Sequence, residues 1–326
     1  MVADFTLTIG CAKPGLVADQ AINHVDPLAV LPLTELTSRL DLTIGANEDI
    51  ATPATLRLLL PRRSFDTHKG MAGRVGILAG SVGTIGAAMM CAAGAVRGGA
   101  GLVTLHVPRE IYPIVTSRTI PEVMVKPCDS PAEVLASGYD SIAVGPGIGL
   151  NHPEAIVDLI VKCPVPAVID ADALNCLAKD LPALDRAVGP RLLTPHPGEM
   201  ARLFPASAKQ SRRITALEFT QRSNQTLLLK GARTIVSERG RHLSYNSTGH
   251  PGLATGGVGD VMSGVLAALL GQGLSCYDAG RVGSWLIGRA AELAIYQGAE
   301  SAESLTATTL LAYLGRAFTD LRAGAY

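Results

Sequence analysis

Aromatic side chains are scarce in this sequence: Phe, Trp and Tyr make up 4% of its 326 residues, with a single Trp. That scarcity argues against a base-stacking platform for single-stranded nucleic acid. Excess charge of one sign is absent too. The 28 Lys and Arg balance 28 Asp and Glu, so composition forces no basic face, and nucleic acid is not expected as a partner. The six cysteines, Cys11, Cys91, Cys128, Cys163, Cys176 and Cys276, form no CxxC pair. They read as scattered reduced thiols of a cytoplasmic protein, not as a disulfide frame or a zinc site. The N-terminus lacks the basic and apolar regions of a signal peptide. The longest uncharged stretch near the C-terminus, 261–277, lies between Asp260 and Asp278 and contains Gly264, Gly271 and Gly273. It is short for a membrane span and reads as a buried helix followed by a turn, so no membrane partner is expected.

What is present is apolar residue in quantity, 48% against 17% charged, enough for one large packed domain or two ordinary ones. From residue 74 onward short apolar runs alternate with helical patterns. The runs 74–80, 102–107, 141–147, 166–172, 191–197 and 225–231 predict buried strands, and 86–97, 151–162, 173–179 and 198–204 predict helices. Continuous apolar strands separated by helices imply an α/β fold whose mainly parallel sheet is covered on both faces. Ligands of such sheets bind beyond the carboxyl ends of the strands, where Gly80, Gly145, Asp170, Pro195 and Lys230 fall. After residue 232 the pattern predicts a hairpin around Gly240 and helices at about 258–272, 277–297 and 303–319. Residues 1–50 are loop-like, with Pro14, Pro27 and Pro32, and are expected to form an extension to a domain spanning 51–326, whose first helical period covers about 52–60.

Several stretches carry chemistry. GLATGGVGDVMSGVLAALLGQG (252–273) sets Asp260 between a loop of small residues and a long apolar run. If a helix starts there, the amides of 257–260 stand unpaired at the positive end of its dipole, a seat for phosphate or a developing oxyanion. Asp260 beside such a hole can take the proton of a hydroxyl attacking phosphorus. The plain alternative is dipole stabilisation alone, roughly 0.3–1 kcal/mol. LLTPHPGEMARL (192–203) runs from a strand through His196, Pro197, Gly198 and Glu199 into a helix. Glu199 is a candidate to organise hydrated Mg²⁺ through water, or His196 and Glu199 simply cap the helix. LLLKGARTIVSE (227–238) offers Lys230, Gly231, Ala232, Arg233 and Thr234, an ammonium, open backbone and a hydroxyl suited to phosphate, without Walker A spacing; an exposed basic turn is the alternative. Gly80, Gly83 and Gly86 do not make a dinucleotide fingerprint, but a ligand can lie against Gly86 and Ala87 at a helix start. VGPGIG (144–149) and IDADALN (169–175) place Gly149, Asp170 and Asp172 at further strand ends. Turns and caps account for each stretch singly. Together, on one rim, they point to a nucleotide-linked site.

In order, HKGMAGRVGILAGSVGTIGAA, GAGLVTL, GPGIG, DADALN, TPHPGEMARL, KGARTIV and GGVGDVMSG resemble the ADP/ATP-dependent NAD(P)H-hydrate dehydratases, over roughly 52–320. The resemblance implies a ribokinase-like, three-layer α/β/α fold. It implies repair of hydrated NADH and NADPH (NADHX and NADPHX): ADP or ATP phosphorylates the ring hydroxyl, and elimination of phosphate restores NAD(P)H, a carbon–oxygen lyase reaction. It implies Asp260 as catalytic base, and Ala87, Gly149, His196 and Asp260 against the hydrated cofactor. Lys230, Gly231, Ala232, Arg233, Thr234 and Gly259 would meet ADP or ATP. The amides of Gly257, Val258 and Gly259 would form the anion hole. Mg²⁺ is expected with the nucleotide, and a homotetramer is expected from the family. Two departures stand out: Val258 where the relatives' loop often reads AGTGD, and Met71-Ala72 after HKG, where a polar residue and an aromatic are commoner. ADFTLTIGCAKPGL (3–16) resembles the end of an NAD(P)H-hydrate epimerase domain, without enough of it to predict that activity. The alternatives are a ribokinase-like vitamin-precursor kinase, which usually has asparagine where His196 stands, and a nucleotide-binding protein without turnover, against which Asp260 and Lys230 argue.

Overall fold

The structure, a computed structural model, describes residue 3 and residues 5–25, 27–31, 33 and 47–325. Pro32 and part of the 1–50 extension lie outside the described residues. The extension is not only loop. Strands β1 (Thr6–Ile9) and β2 (Leu28–Leu31) pair in parallel as a sheet of their own. Each is four residues long, too short for its alternation to stand out among the flanking prolines.

Among the described residues the main sheet has ten strands: β3 (Glu48–Ala51), β4 (Arg74–Leu78), β5 (Leu102–Pro108), β6 (Val123–Cys128), β7 (Ser141–Val144), β8 (Ala167–Ile169), β9 (Arg191–Leu193), β10 (Thr226–Leu229), β11 (Ile235–Ser237) and β12 (Leu243–Asn246). Their order is β3-β12-β11-β10-β9-β8-β7-β4-β5-β6. Only β11 runs against its neighbours, and with β12 it forms the hairpin expected around Gly240. β3 pairs with β12, so the main sheet starts before residue 51.

Helices longer than one turn are α1 (Ile85–Arg97), α2 (Tyr112–Arg118), α3 (Pro153–Lys162), α4 (Ala171–Leu177), α5 (Pro197–Leu203), α6 (Arg212–Arg222), α7 (Val258–Gly271), α8 (Cys276–Glu292) and α9 (Ala307–Ala323). They divide between two cores. Val75, Ile77, Ala143, Val168 and Leu228 face α1, α7, α8 and α9. Their neighbours Leu78, Ile142, Val144, Ile169 and Leu229 face α3, α4, α5 and α6. Strands apolar on both sides are what a parallel sheet between two helical layers requires. Among the described residues no helix is long and apolar enough to cross a membrane.

Three expectations shift. The helical period at 52–60 yields one turn, Pro53–Leu56, and Pro61 disfavours helical backbone at Leu60 beyond it. The last helix starts later than expected, at Ala307, where the Thr306 side chain caps it by accepting the Thr309 amide. β6 went unread because Pro127 interrupts its pattern, which an edge strand tolerates.

α1 and α7 touch backbone to backbone. A Cβ at Gly94 would lie 2.3 Å from the Val261 carbonyl oxygen, and one at Gly264 would lie 1.9 Å from that of Cys91. No side chain fits either place, so these two glycines fix how closely and in what register the helices meet.

Candidate active site

The rim at the carboxyl ends of the parallel strands collects most of the residues singled out in the sequence. α7 begins at Val258, after Gly257 in a left-handed turn (φ +90°), and no side chain caps it. Its first amides are therefore open, unlike those of α6, α8 and α9, whose N-caps Ser211, Ser275 and Thr306 accept from them. An uncapped N-terminus on a functional rim suits an anion. The left-handed backbone of Gly257 favours glycine, and a Cβ there would also displace Met90, whose Sδ would lie 2.2 Å away.

Asp260, in the first turn of α7, is held among like charges. Burial raises its carboxyl first. Asp170, Asp172 and Glu199 add to the rise and Lys230 opposes it, leaving the group pushed up to about 6. Lys230 leaves β10 and donates to Asp170 Oδ1 at 2.7 Å, with Glu199 Oε2 at 3.8 Å. Burial works against its ammonium, but the charges of Asp170 and Glu199 outweigh that and its pKa is raised. Ser263, one turn beyond Gly259, donates to Asp170 Oδ2 at 2.6 Å. A Cβ on Gly259 would stand 3.6 Å from Lys230 Nζ. The ammonium, Asp170 and the open helix end thus form one cluster with Asp260, an acceptor poised to take a proton near neutrality and a cation beside an anion seat.

The Lys230–Thr234 loop closes on itself and onto its surroundings. Lys230 donates its amide to the Pro195 carbonyl at 2.9 Å, and Thr234 Oγ1 donates to the Gly231 carbonyl at 3.0 Å. Arg233, in left-handed backbone (φ +55°), donates through Nη1 to Ser247 O at 2.8 Å and through Nη2 to Val25 O at 2.9 Å. Its guanidinium is thereby built into the protein.

A second group gathers at the start of α1. Ser81 and Thr84 both donate to the Gly147 carbonyl, at 2.9 and 2.7 Å. Ala87 Cβ would meet a Gly147 Cβ at 3.1 Å, and the Gly149 amide donates to Asp172 Oδ2 at 2.9 Å. Ala87 and Gly149 thus flank the Gly147 turn, and Met90, next to Gly86 on α1, reaches Gly257. His196 caps α5: its Nδ1 accepts from the Gly198 and Glu199 amides, at 3.0 and 3.4 Å. Glu199, buried, returns the favour by accepting the His196 amide at 2.8 Å. The plain capping alternative for this pair is what the structure shows, while half of the His196 side chain remains exposed on the rim.

The sequence puts Asp170 on the rim of the site without assigning it a role, and it does not mark Ser263 or Met90. Only the spacing of Ser263 from Asp260, three along a helix, hinted that the two share a face. Among the described residues no three His, Cys, Asp or Glu side chains converge as a cation cage. Asp170 is engaged with Lys230 and Ser263, and Glu199 with the helix cap.

Comparison with known proteins bears on these features. The sequence profile described as NAD(P)H-hydrate dehydratase matches residues 75–315. A bifunctional NAD(P)H-hydrate repair enzyme from Moorella thermoacetica is 38% identical over 318 residues, 92% of this chain and 59% of that protein. The chain spans about three-fifths of the length of the curated relatives it matches first. Among solved structures, the ADP/ATP-dependent NAD(P)H-hydrate dehydratase from Bacillus subtilis, co-crystallised with ATP/Mg²⁺, is similar with a TM-score of 0.72 and 29% identity, covering 83% of this chain and 98% of that one. A ribokinase-like protein from Enterococcus faecalis, TM-score 0.73 and 22% identical over 86% of this chain and 97% of its own, shares the fold.

Proposed function

Because this chain belongs to the NAD(P)H-hydrate dehydratase family, we infer that its rim performs nucleotide-dependent dehydration of hydrated NADH and NADPH. The observation that carries the reading is Asp260, its carboxyl raised to about 6, in the uncapped first turn of α7 beside Lys230. In this reading Asp260 takes the proton of the ring hydroxyl as that oxygen attacks the terminal phosphorus of ADP or ATP. The bond from phosphorus to the departing AMP or ADP breaks. The amides of Gly257, Val258 and Gly259 and the Lys230 ammonium bear the charge of the transferring group, which is where preorganised donors act most strongly. The phosphorylated hydrate then loses phosphate from one ring carbon and a proton from its neighbour, restoring the dihydropyridine.

The Lys230–Thr234 loop takes the nucleotide, with Lys230 and Thr234 offering side chains and Gly231, Ala232 and Arg233 backbone. Ala87, Gly149 and the exposed part of His196 receive the hydrated cofactor. The carboxylates here are already engaged, so they fit a Mg²⁺ ion carried by the nucleotide's phosphates and water, with Glu199 in reach only through water. Bound Mg²⁺ would neutralise phosphate charge. Six free cysteines, five of them buried, accord with a cytoplasmic enzyme; a homotetramer is the assembly proposed from the resemblance.

The test is recovery of near-ultraviolet absorbance when purified hydrated NADH is incubated with the protein, Mg²⁺ and either ADP or ATP. Return with one nucleotide names the phosphoryl donor. No return, from protein that still binds nucleotide by thermal shift, would sink the repair reading in favour of a vitamin-precursor kinase.

A further inference from the structure

The proposed nucleotide loop meets the N-terminal segment at two points, by packing at the first and by a hydrogen bond at the second. The first is Arg212, which opens α6 on the same rim as the end of β10. Asp19 accepts its backbone amide through Oδ2 at 2.9 Å and its Nε through Oδ1 at 2.8 Å. The guanidinium then extends beneath Gly231, where a Cβ would lie only 2.6 Å from Nη1. Gly231 has φ +144°, so both its backbone and its missing side chain leave this path open. Nη1 and Nη2 are buried with no partner among the described residues. The second tie is the Arg233 Nη2 bond to the Val25 carbonyl.

This arrangement is asymmetric. One edge of the Arg212 fork is neutralised and oriented by Asp19. The other edge, with donors still unmatched, faces a loop that has no side chain at its nearest residue. Charge buried without full compensation acts over a longer range than it would in water, and only the thickness of a glycine lies between it and the loop's outer face.

We propose that Arg212, set in place by Asp19, is a positioning residue of the nucleotide site: it packs beneath Gly231 and supplies fixed positive charge there for the nucleotide's phosphates. The proposal rests on the nucleotide reading of that loop. It makes the segment around Asp19, which precedes the main sheet in the chain, a working part of the phosphoryl-donor side.

The experiment uses the full chain and compares wild type with Arg212→Gln, Arg212→Lys and Asp19→Asn. Two readouts are taken: calorimetric Kd for the productive nucleotide, and KM for nucleotide and for hydrated NADH with kcat. Losing a buried positive charge that acts on the phosphates through the loop, without touching them, is expected to cost about tenfold in affinity. Arg212→Gln should therefore raise nucleotide Kd and KM about tenfold, with a far smaller change in KM for hydrated NADH and in kcat. Arg212→Lys keeps the charge but not the fork, and should recover part of the loss. Asp19→Asn should lie between wild type and Arg212→Gln. Unchanged nucleotide affinity in Arg212→Gln, or a parallel fall of kcat and rise of both KM values, overturns the proposal. If Arg212→Gln does not fold, the Arg212→Lys and Asp19→Asn pair decides on the same criteria. A folded wild type that binds no nucleotide would remove the nucleotide reading itself, and this inference with it.

Discussion

Replacing Asp260 with asparagine should make the protein more stable and nearly inactive. The folded chain holds this carboxyl at about 6 against an ordinary 3.8. Ionising it in place is therefore harder than ionising it in the unfolded chain, and the difference is a stability cost. About 2 pH intervals at about 1.4 kcal/mol each give roughly 3 kcal/mol. The sign follows from proton uptake. Below about pH 4 the carboxyl is protonated in both states and the cost vanishes. Between 4 and 6 only the folded state keeps the proton, so wild type loses stability as pH rises. Above about 6 the group is ionised in both states and the full cost persists. Asparagine is neutral throughout. Chemical unfolding of both proteins from pH 4 to 8 should thus show Asp260→Asn more stable by roughly 3 kcal/mol at neutrality, with the gap closing toward pH 4. Turnover in the recovery assay should fall by roughly 10²–10⁴-fold with loss of the general base. A gap that is absent, reversed or independent of pH would refute the electrostatic account of this site. Full activity in the variant would refute Asp260 as the base.

Three further outcomes follow from the same cluster. Lys230 lowers the Asp260 carboxyl, so Lys230→Gln should move the acid limb of kcat/KM to higher pH as well as weaken nucleotide binding at least tenfold; a limb that stays or moves down counts against their coupling. Ser263→Ala removes the bond to Asp170 Oδ2 inside a fully buried environment, and should cost about 1–3 kcal/mol in denaturant unfolding; a neutral change would mean that Asp170 finds another donor. Gly257→Ala meets Met90 Sδ and a left-handed backbone together. It should reduce turnover sharply, and adding Met90→Ala should relieve only part of the loss, because the backbone strain remains.

The sequence disclosed the parallel sheet readily because β7, β8, β9 and β10 are apolar on both faces and stop at glycine, proline or charge. It disclosed β6 and the N-terminal pair β1–β2 poorly. An edge strand carrying Pro127 and four-residue strands among prolines leave little periodic signal. Within the candidate site, Asp260 and Lys230 were legible from their loops. Asp170 was visible only as a strand-end acid, because what makes it part of the cluster is a pair of contacts spanning 60 and 93 residues of chain. No local pattern encodes such separations. Glu199 shows the opposite difficulty: its spacing from His196 fits water-mediated metal binding and helix capping equally well, and only the geometry shows the second.

The backbone contact between α1 and α7 fixes the spacing of the two proposed seats, for hydrate and for nucleotide. Ala87 stands in the first turn of α1, and the start of α7 carries the open amides before Asp260. With Gly94 against Val261 and Gly264 against Cys91, neither helix can slide or roll without collision, so the two seats hang from a single girder whose length is set at synthesis. In the proposed reaction, hydroxyl and phosphorus would then meet without one domain swinging onto another. The protein's tolerance for altered substrates should be governed by a fixed span between the seats, and one added methyl at Gly94 or Gly264 would act as a spacer that lengthens it.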